Sequence, residues 1–303
     1  MKKLYMLLLL VSIAVQSLFA ADVTVTMNST SPTMSLVNKT TSETVSVGEP
    51  TSNVYTFEAD AGTYVLTAYA TDGTTVNGTI ELTVTDQEDP SFSIATITAY
   101  ATNSGWTLGT DYTINATVAQ KEGGYETITT GSSTTSGRMT FLMLVGDTYY
   151  CDFVPSDAKV TEGFATGYKS TTVSSATGSA SIAIPTGVSY TVTMPSDASF
   201  FMGRKTSHYA PFIELAPVST AEADGVKAIT YNLANSQVYN FRTWKEDGLV
   251  NAGYFTASTT ASKMPTLAFT DADYATSPKT ICRDNLAQTG DIMLNINERV
   301  TCN

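Results

Sequence analysis

The chain carries a single histidine, His208, in the phrase Arg204-Lys-Thr-Ser-His-Tyr209. A Ser-His-Asp relay would have to run through it, because no other ordinary side chain titrates near neutral pH. No Gly-x-Ser-x-Gly phrase accompanies it to present a nucleophile on a strained turn. The plainer reading of His208 is a solvated or hydrogen-bonded loop residue. Zinc is equally poorly supplied, since the three Cys and the one His never cluster at ligand spacing. Phosphate loops and dinucleotide fingerprints are missing. The closest acidic pair, Asp271-x-Asp273, is the material a two-carboxylate glycosidase would use. Alternation along a strand would instead put both acids on one solvated face. The sequence therefore points to no catalytic residue, no metal and no cofactor.

Binding chemistry has slightly more to work with. Trp106 closes the turn phrase Asn103-Ser-Gly-Trp106, and Trp244 precedes Lys245-Glu-Asp-Gly248. An indole beside a turn can stack on a sugar face or anchor a protein interface. Against that stands the plainer role, in which each Trp caps its own sandwich core. The acidic phrase Asp86-Gln-Glu-Asp-Pro90 offers three local carboxylates, and no matching acidic loop upstream completes the shell of several hard oxygens that Ca²⁺ takes. It reads better as a solvated hinge than as a calcium site. Cys282 and Cys302 would close a loop in an oxidising compartment, but sequence does not fix the geometry such a bridge requires. Cys151 is left over, between Tyr149 and Phe153, and reads as a small buried hydrophobe.

Composition narrows the setting. Charged residues make up 15% of the chain and the formal charge is −12. A polyanion gains nothing from nucleic acid or from an anionic membrane surface, so both are disfavoured as partners. The opening Met-Lys-Lys-Leu-Tyr-Met-Leu-Leu-Leu-Leu-Val joins a basic start to an apolar run and ends in Phe19-Ala-Ala21. That is the build of a cleaved Sec-type signal peptide over residues 1–20, and it predicts a secreted or cell-surface protein. No second apolar stretch reaches spanning length, so the mature chain is not expected to insert into a membrane. An extracellular protein or a glycan is the expected partner.

The elements that would position these residues are strands. Val23, Val25 and Met27 alternate with Thr24 and Thr26, and similar runs recur at Tyr55-Thr-Phe57, Tyr64-Val-Leu66 and Ile80-Glu-Leu82. Period-2 alternation with Thr on the polar side describes half-buried strands. Asp60-Ala-Gly62 and Asp72-Gly73 supply turns between them. Two phrases repeat 40 residues apart, Tyr150-Cys-Asp-Phe-Val-Pro-Ser-Asp-Ala158 and Tyr190-Thr-Val-Thr-Met-Pro-Ser-Asp-Ala198, each preceded by a Gly-anchored strand. Such a period marks tandem modules.

Met139 to Val145 and Tyr149 to Val154 read as a hairpin, as do Ile229 to Leu233 and Val238 to Thr243. Ser219-x-x-Glu222 has capping-box spacing for at most one helical turn. The expected architecture is all-β, with tandem small Ig-like β-sandwich modules over 21–89, 90–180 and 181–303 after the signal peptide. The Gly290 strand either completes the last sandwich or opens a further unit. An unpaired strand would leave a pairing edge exposed, which favours a piece of a longer protein.

Tyr239-Asn-Phe-Arg-Thr-Trp-Lys-Glu-Asp-Gly-Leu-Val-Asn-Ala-Gly253-Tyr254 resembles the strand–turn–Gly-Tyr phrase of carboxypeptidase-regulatory-like and PEGA-type β-sandwich repeats, and Tyr150 to Tyr168 is a looser copy. The chain is similar to secreted Ig-like repeat proteins of Bacteroidota surfaces over about two of its three units. That resemblance implies a spacer, adhesion or substrate-holding role and transfers no catalytic residues. The expected function is a non-catalytic secreted or cell-surface module that spaces, adheres or binds protein. The rival is a set of carbohydrate-binding modules ancillary to a hydrolase.

Overall fold

A computed structural model describes residues 21–27, 33–47, 50–85, 90–119, 125–128, 130–133, 137–174, 178–204, 213–245 and 250–275. Strands dominate, and the fold is all-β, as the alternation predicts. His208, Cys282, Cys302, the acidic 86–89 phrase and the Gly290 strand lie outside the described residues. By backbone contacts the chain divides into two compact units. The first takes 1–100, 128–149 and 171–180, and the second takes 101–127, 150–170 and 181–303.

The first unit is built on β1 (Ala21–Met27), β2 (Met34–Asn38), β3 (Thr44–Val45), β4 (Val54–Ala59), β5 (Gly62–Tyr69), β6 (Val76–Val84) and most of β7 (Ser91–Ala101). Between β8 (Tyr112–Ala119) and β9 (Tyr125–Thr127), which belong to the second unit, and the strands that follow, the chain returns to the first. It does so with β10 (Thr130–Ser133) and β11 (Arg138–Leu144). The strands join in the order β3-β2-β5-β6-β10-β11-β7-β1-β4. β1 runs antiparallel to β4, with Val25 opposite Tyr55, and parallel to β7, with Val25 opposite Phe92. This parallel pairing ties together the residues on either side of the acidic segment.

Alternation sends Val23, Val25 and Met27 inward with Tyr55, Phe57, Leu36, Leu66 and Leu82, while the intervening Thr residues face out. Burying each large apolar side chain contributes about 1.5–3 kcal/mol. Asp72 closes the β5–β6 turn by accepting the Thr75 hydroxyl and the N–H groups of Thr74 and Thr75, and these bonds pull its carboxyl down to about 2. Gly73 beside it sits at φ +71°, which glycine adopts without strain.

In the second unit, β12 (Thr148–Pro155) and β13 (Gly167–Thr172) join β8 and β9 in the order β13-β12-β8-β9. A short helix, α1 (Asp157–Thr161), follows β12. After β14 (Ser179–Ile182) comes a two-sheet sandwich. One sheet holds β15 (Gly187–Pro195), β19 (Val226–Ala234) and β18 (Ser219–Ala223) in that order. The other holds β17 (Ile213–Glu214), β16 (Ser199–Arg204), β20 (Val238–Trp244) and β21 (Val250–Thr256). Val192, Met194, Tyr231 and Leu233 from the first sheet meet Met202, Tyr239, Phe241 and Phe255 from the second in one core.

Three expectations are corrected here. The two supposed hairpins are corners between sheets. β11 pairs with β10 and β7 while β12 lies beside β13 and β8, and β19 pairs with β15 and β18 while β20 pairs with β16 and β21. At the second corner the Tyr239 hydroxyl accepts the Ala234 N–H at 2.7 Å, where both groups are buried. That bond satisfies a backbone donor which a hairpin ladder would otherwise take. The Ser219-x-x-Glu222 stretch is strand β18, held to β19 with Glu222 opposite Lys227. Asp271-Ala-Asp273 lies on a short helix, α2 (Asp271–Ala275), instead of a strand. The Asp273 carboxylate reaches back to the Thr270 N–H at 2.8 Å, in the manner of a capping box.

Candidate functional site

Trp106 sits on a loop that the fold pins at several points. The Asn103 side chain exchanges hydrogen bonds with the Ile184 backbone, giving at 3.1 Å and receiving at 2.7 Å. Asp111 accepts the Thr107 N–H at 2.7 Å, and the Tyr112 hydroxyl accepts the Ala101 N–H at 3.0 Å. Gly105 makes the turn at φ +76°. The half-buried indole meets Phe164 edge-on with ring centroids 4.7 Å apart, and Lys159 Nζ lies 5.2 Å from its ring. These contacts come from the stretch around α1, so Trp106 is engaged within its own unit.

Trp244 ends β20 and is also half-buried. Residues two apart on a strand share a face, so Asn240, Arg242 and Trp244 form one stripe. The Arg242 guanidinium carbon lies 4.6 Å from the indole centroid, a cation–π contact. Cross-strand pairing brings Phe201 opposite Arg242 and Tyr254 opposite Asn240 on this same face. Tyr254 is exposed, whereas Asn240 is fully buried and neither atom of its carboxamide has a hydrogen-bond partner. Beyond Trp244, Lys245 bridges Asp197 and Asp271 at 2.8 Å each, and these hydrogen bonds hold its ammonium above the usual lysine range. The carboxylates are exposed, so this cluster ties α2 to the neighbouring strands only weakly.

The two candidate residues therefore lie in different settings, one on a loop packed against Phe164 and one on an outward sheet face. Among the described residues no group of three His, Cys, Asp or Glu side chains is placed to hold a metal ion. Likewise, no helix there is long and apolar enough to cross a membrane.

A buried ion pair escaped the sequence reading. Asp152 of β12 and Arg204 at the end of β16 face each other with 4% and 1% of their side chains exposed. The Arg204 guanidinium carbon stands 4.8 Å from the Tyr168 ring centroid. Burial pulls the guanidinium down to about 10, although the nearby Tyr239 favours its charge. The signal was present in Tyr150-Cys-Asp-Phe153, an acid inside a strand that does not alternate. Residues 149–153 are all buried, which leaves the Asp no solvated face.

Cys151 is fully buried, and desolvation pushes its thiol up to about 12. Native protein treated with a thiol reagent at pH 8 should leave Cys151 unlabelled in peptide mass mapping, and unfolded protein should label it. Labelling in the native state would contradict its burial.

No family model matches the chain, and no curated protein matches it. Solved structures with some likeness include the Bacillus anthracis TIE protein, at 9% identity and a TM-score of 0.21 over 83% of this chain and 50% of that one. The chain thus spans about half the length of that protein. A Streptococcal ancillary pilin matches at 10% identity and a TM-score of 0.24 over 82% of this chain and 97% of that one. A DUF3823 family protein from Bacteroides ovatus matches at 12% identity and 0.19 over 78% and 96%. The all-β assignment rests on the strands described above and takes nothing from these likenesses.

Proposed function

We propose that this chain is a secreted, non-catalytic module, exported by its basic and apolar N-terminal segment, that acts at or beyond the cell surface by spacing, adhering or binding protein. The observation that carries the proposal is where the indoles and buried charges go. Trp106 is spent on Phe164 and Tyr112, and the Asp152–Arg204 pair joins strands to strands. Rigid β frameworks present loops without needing a cleft.

One observation favours sugar binding as a second reading. Trp244, Arg242, Phe201 and Tyr254 share an outward face, and aromatic rings beside a guanidinium suit a pyranose ring. A glycan-array screen of the 21–303 protein, with Trp106→Ala and Trp244→Ala beside it, separates the two. Silence across the array with intact folding is the expected result. Saturable binding lost in Trp244→Ala would install the sugar reading, and loss in Trp106→Ala would place the site on the other loop.

A further inference from the structure

Residues 150–170 and the sandwich over 187–274 belong to one compact unit and are stitched together at two separate places. The first stitch is the Asp152–Arg204 pair, with the guanidinium laid over Tyr168. The second lies at the turn after α1. There the Asn232 amide on β19 donates to the Val160 carbonyl at 2.6 Å, the Ala165 N–H to Pro185 at 2.9 Å and the Gly187 N–H to Gly163 at 2.7 Å. The approach is close. A Cβ on Gly187 would stand 2.7 Å from the Asn232 Cβ and 3.1 Å from that of Ala165.

We infer that the Asp152–Arg204 pair is an orientation lock, which together with the Asn232 stitch makes residues 150–170 and the following sandwich move and unfold as one body. The energetics favour a lock over a simple stabiliser. Taking both charges out of water costs more than an apolar contact of the same size, and mutual attraction repays it only in a narrow geometry. Arg204 also keeps Nε and Nη1 without a hydrogen-bond partner, so the pair has little to spare. A rotation of one sheet against the other would leave two buried charges uncompensated, whereas an apolar contact would merely slide. The lock serves either kind of partner, because it fixes how the loops of this body are aimed.

Four full-chain variants test it by thermal unfolding and hydrogen exchange: Asp152→Asn, Asn232→Ala, the two combined, and Asp152→Leu with Arg204→Met. Asp152→Asn should lower the midpoint of this body by about 10 °C, since it strands the Arg204 charge. Combining it with Asn232→Ala should split the transition, with amides of 157–166 losing protection before those of β19. The Leu/Met pair should recover the wild-type midpoint yet exchange at least tenfold faster at 157–166 well below it. A combined variant that still melts in one step, with both stretches exposed together, would overturn the proposal. So would a Leu/Met protein with wild-type exchange at 157–166, because the pair would then be packing alone. Should Asp152→Asn fail to accumulate, the Leu/Met variant still decides.

Discussion

Replacing Phe141 by alanine should destabilise the first unit by about 3–5 kcal/mol, the range for removing a buried aromatic ring. Phe141 is fully buried on β11 and meets Tyr149 edge-to-face, with ring centroids 5.5 Å apart. Its strand has neighbours on both sides, with Thr130 of β10 opposite Phe141 on one and Ile97 of β7 on the other. The backbone therefore cannot collapse into the space that the ring leaves. Edge-to-face aromatic pairs add to simple area burial, so Phe141→Leu should recover only part of the loss. Urea unfolding of the two variants measures both quantities. A loss under about 1 kcal/mol for the alanine variant would show that the site relaxes, contrary to this account.

The second large effect is expected at Gly78, from the opposite cause. A Cβ there would stand 2.9 Å from the Leu142 backbone nitrogen and 3.0 Å from the Phe141 Cα. Backbone atoms in the middle of a sheet cannot swing aside as a flexible side chain can. Gly78 also sits opposite Thr130, where β6 meets β10. Gly78→Ala should therefore cost about 3 kcal/mol, at the upper end for overpacking, and should weaken the β6–β10 contact first. Faster amide exchange at the Thr130 end of β10 would locate the damage. By comparison, Gly73→Ala meets nothing within 4 Å, so its cost should reflect only the left-handed φ. A Gly78→Ala protein as stable as wild type would mean that β6 can move away from β11.

The strands were legible because one face of each meets a core. Val23-x-Val25-x-Met27 and Tyr64-x-Leu66-x-Ala68 are buried at the positions that alternation marks. The connections were less legible, because loops of three or four residues suit a hairpin and a corner equally. What decides is which sheet receives the next strand, and that depends on partners elsewhere in the chain. The repeated Pro-Ser-Asp-Ala phrase makes the point within one protein. After Pro155 it begins helix α1, whereas after Pro195 it makes a tight turn into β16. The residues that follow are Lys159-Val-Thr-Glu162 in the first case and Ser199-Phe-Phe-Met202 in the second. The aromatic pair favours a strand.

Trp106 and Trp244 stood out in the sequence by type and by their turn neighbours. Their surroundings did not, because Phe164 is distant in sequence from Trp106, and Tyr254 reaches the Trp244 face only through β-sheet register. The Asp152–Arg204 contact was hidden for the same reason.

The parallel pairing of β1 with β7 bears on how the protein acquires its structure in time. Val25 finds Phe92 only after every strand from β2 to β6 has been made. The core around Val25 also includes Leu142 of β11. Contacts between residues so far apart pay loop-closure entropy before they return any energy, and they slow folding. β1 therefore stays without its complete set of neighbours until the chain has been made as far as Leu142. During that interval the apolar face of Val23, Val25 and Met27 has no complete core to bury it, so the first unit closes late and as a whole.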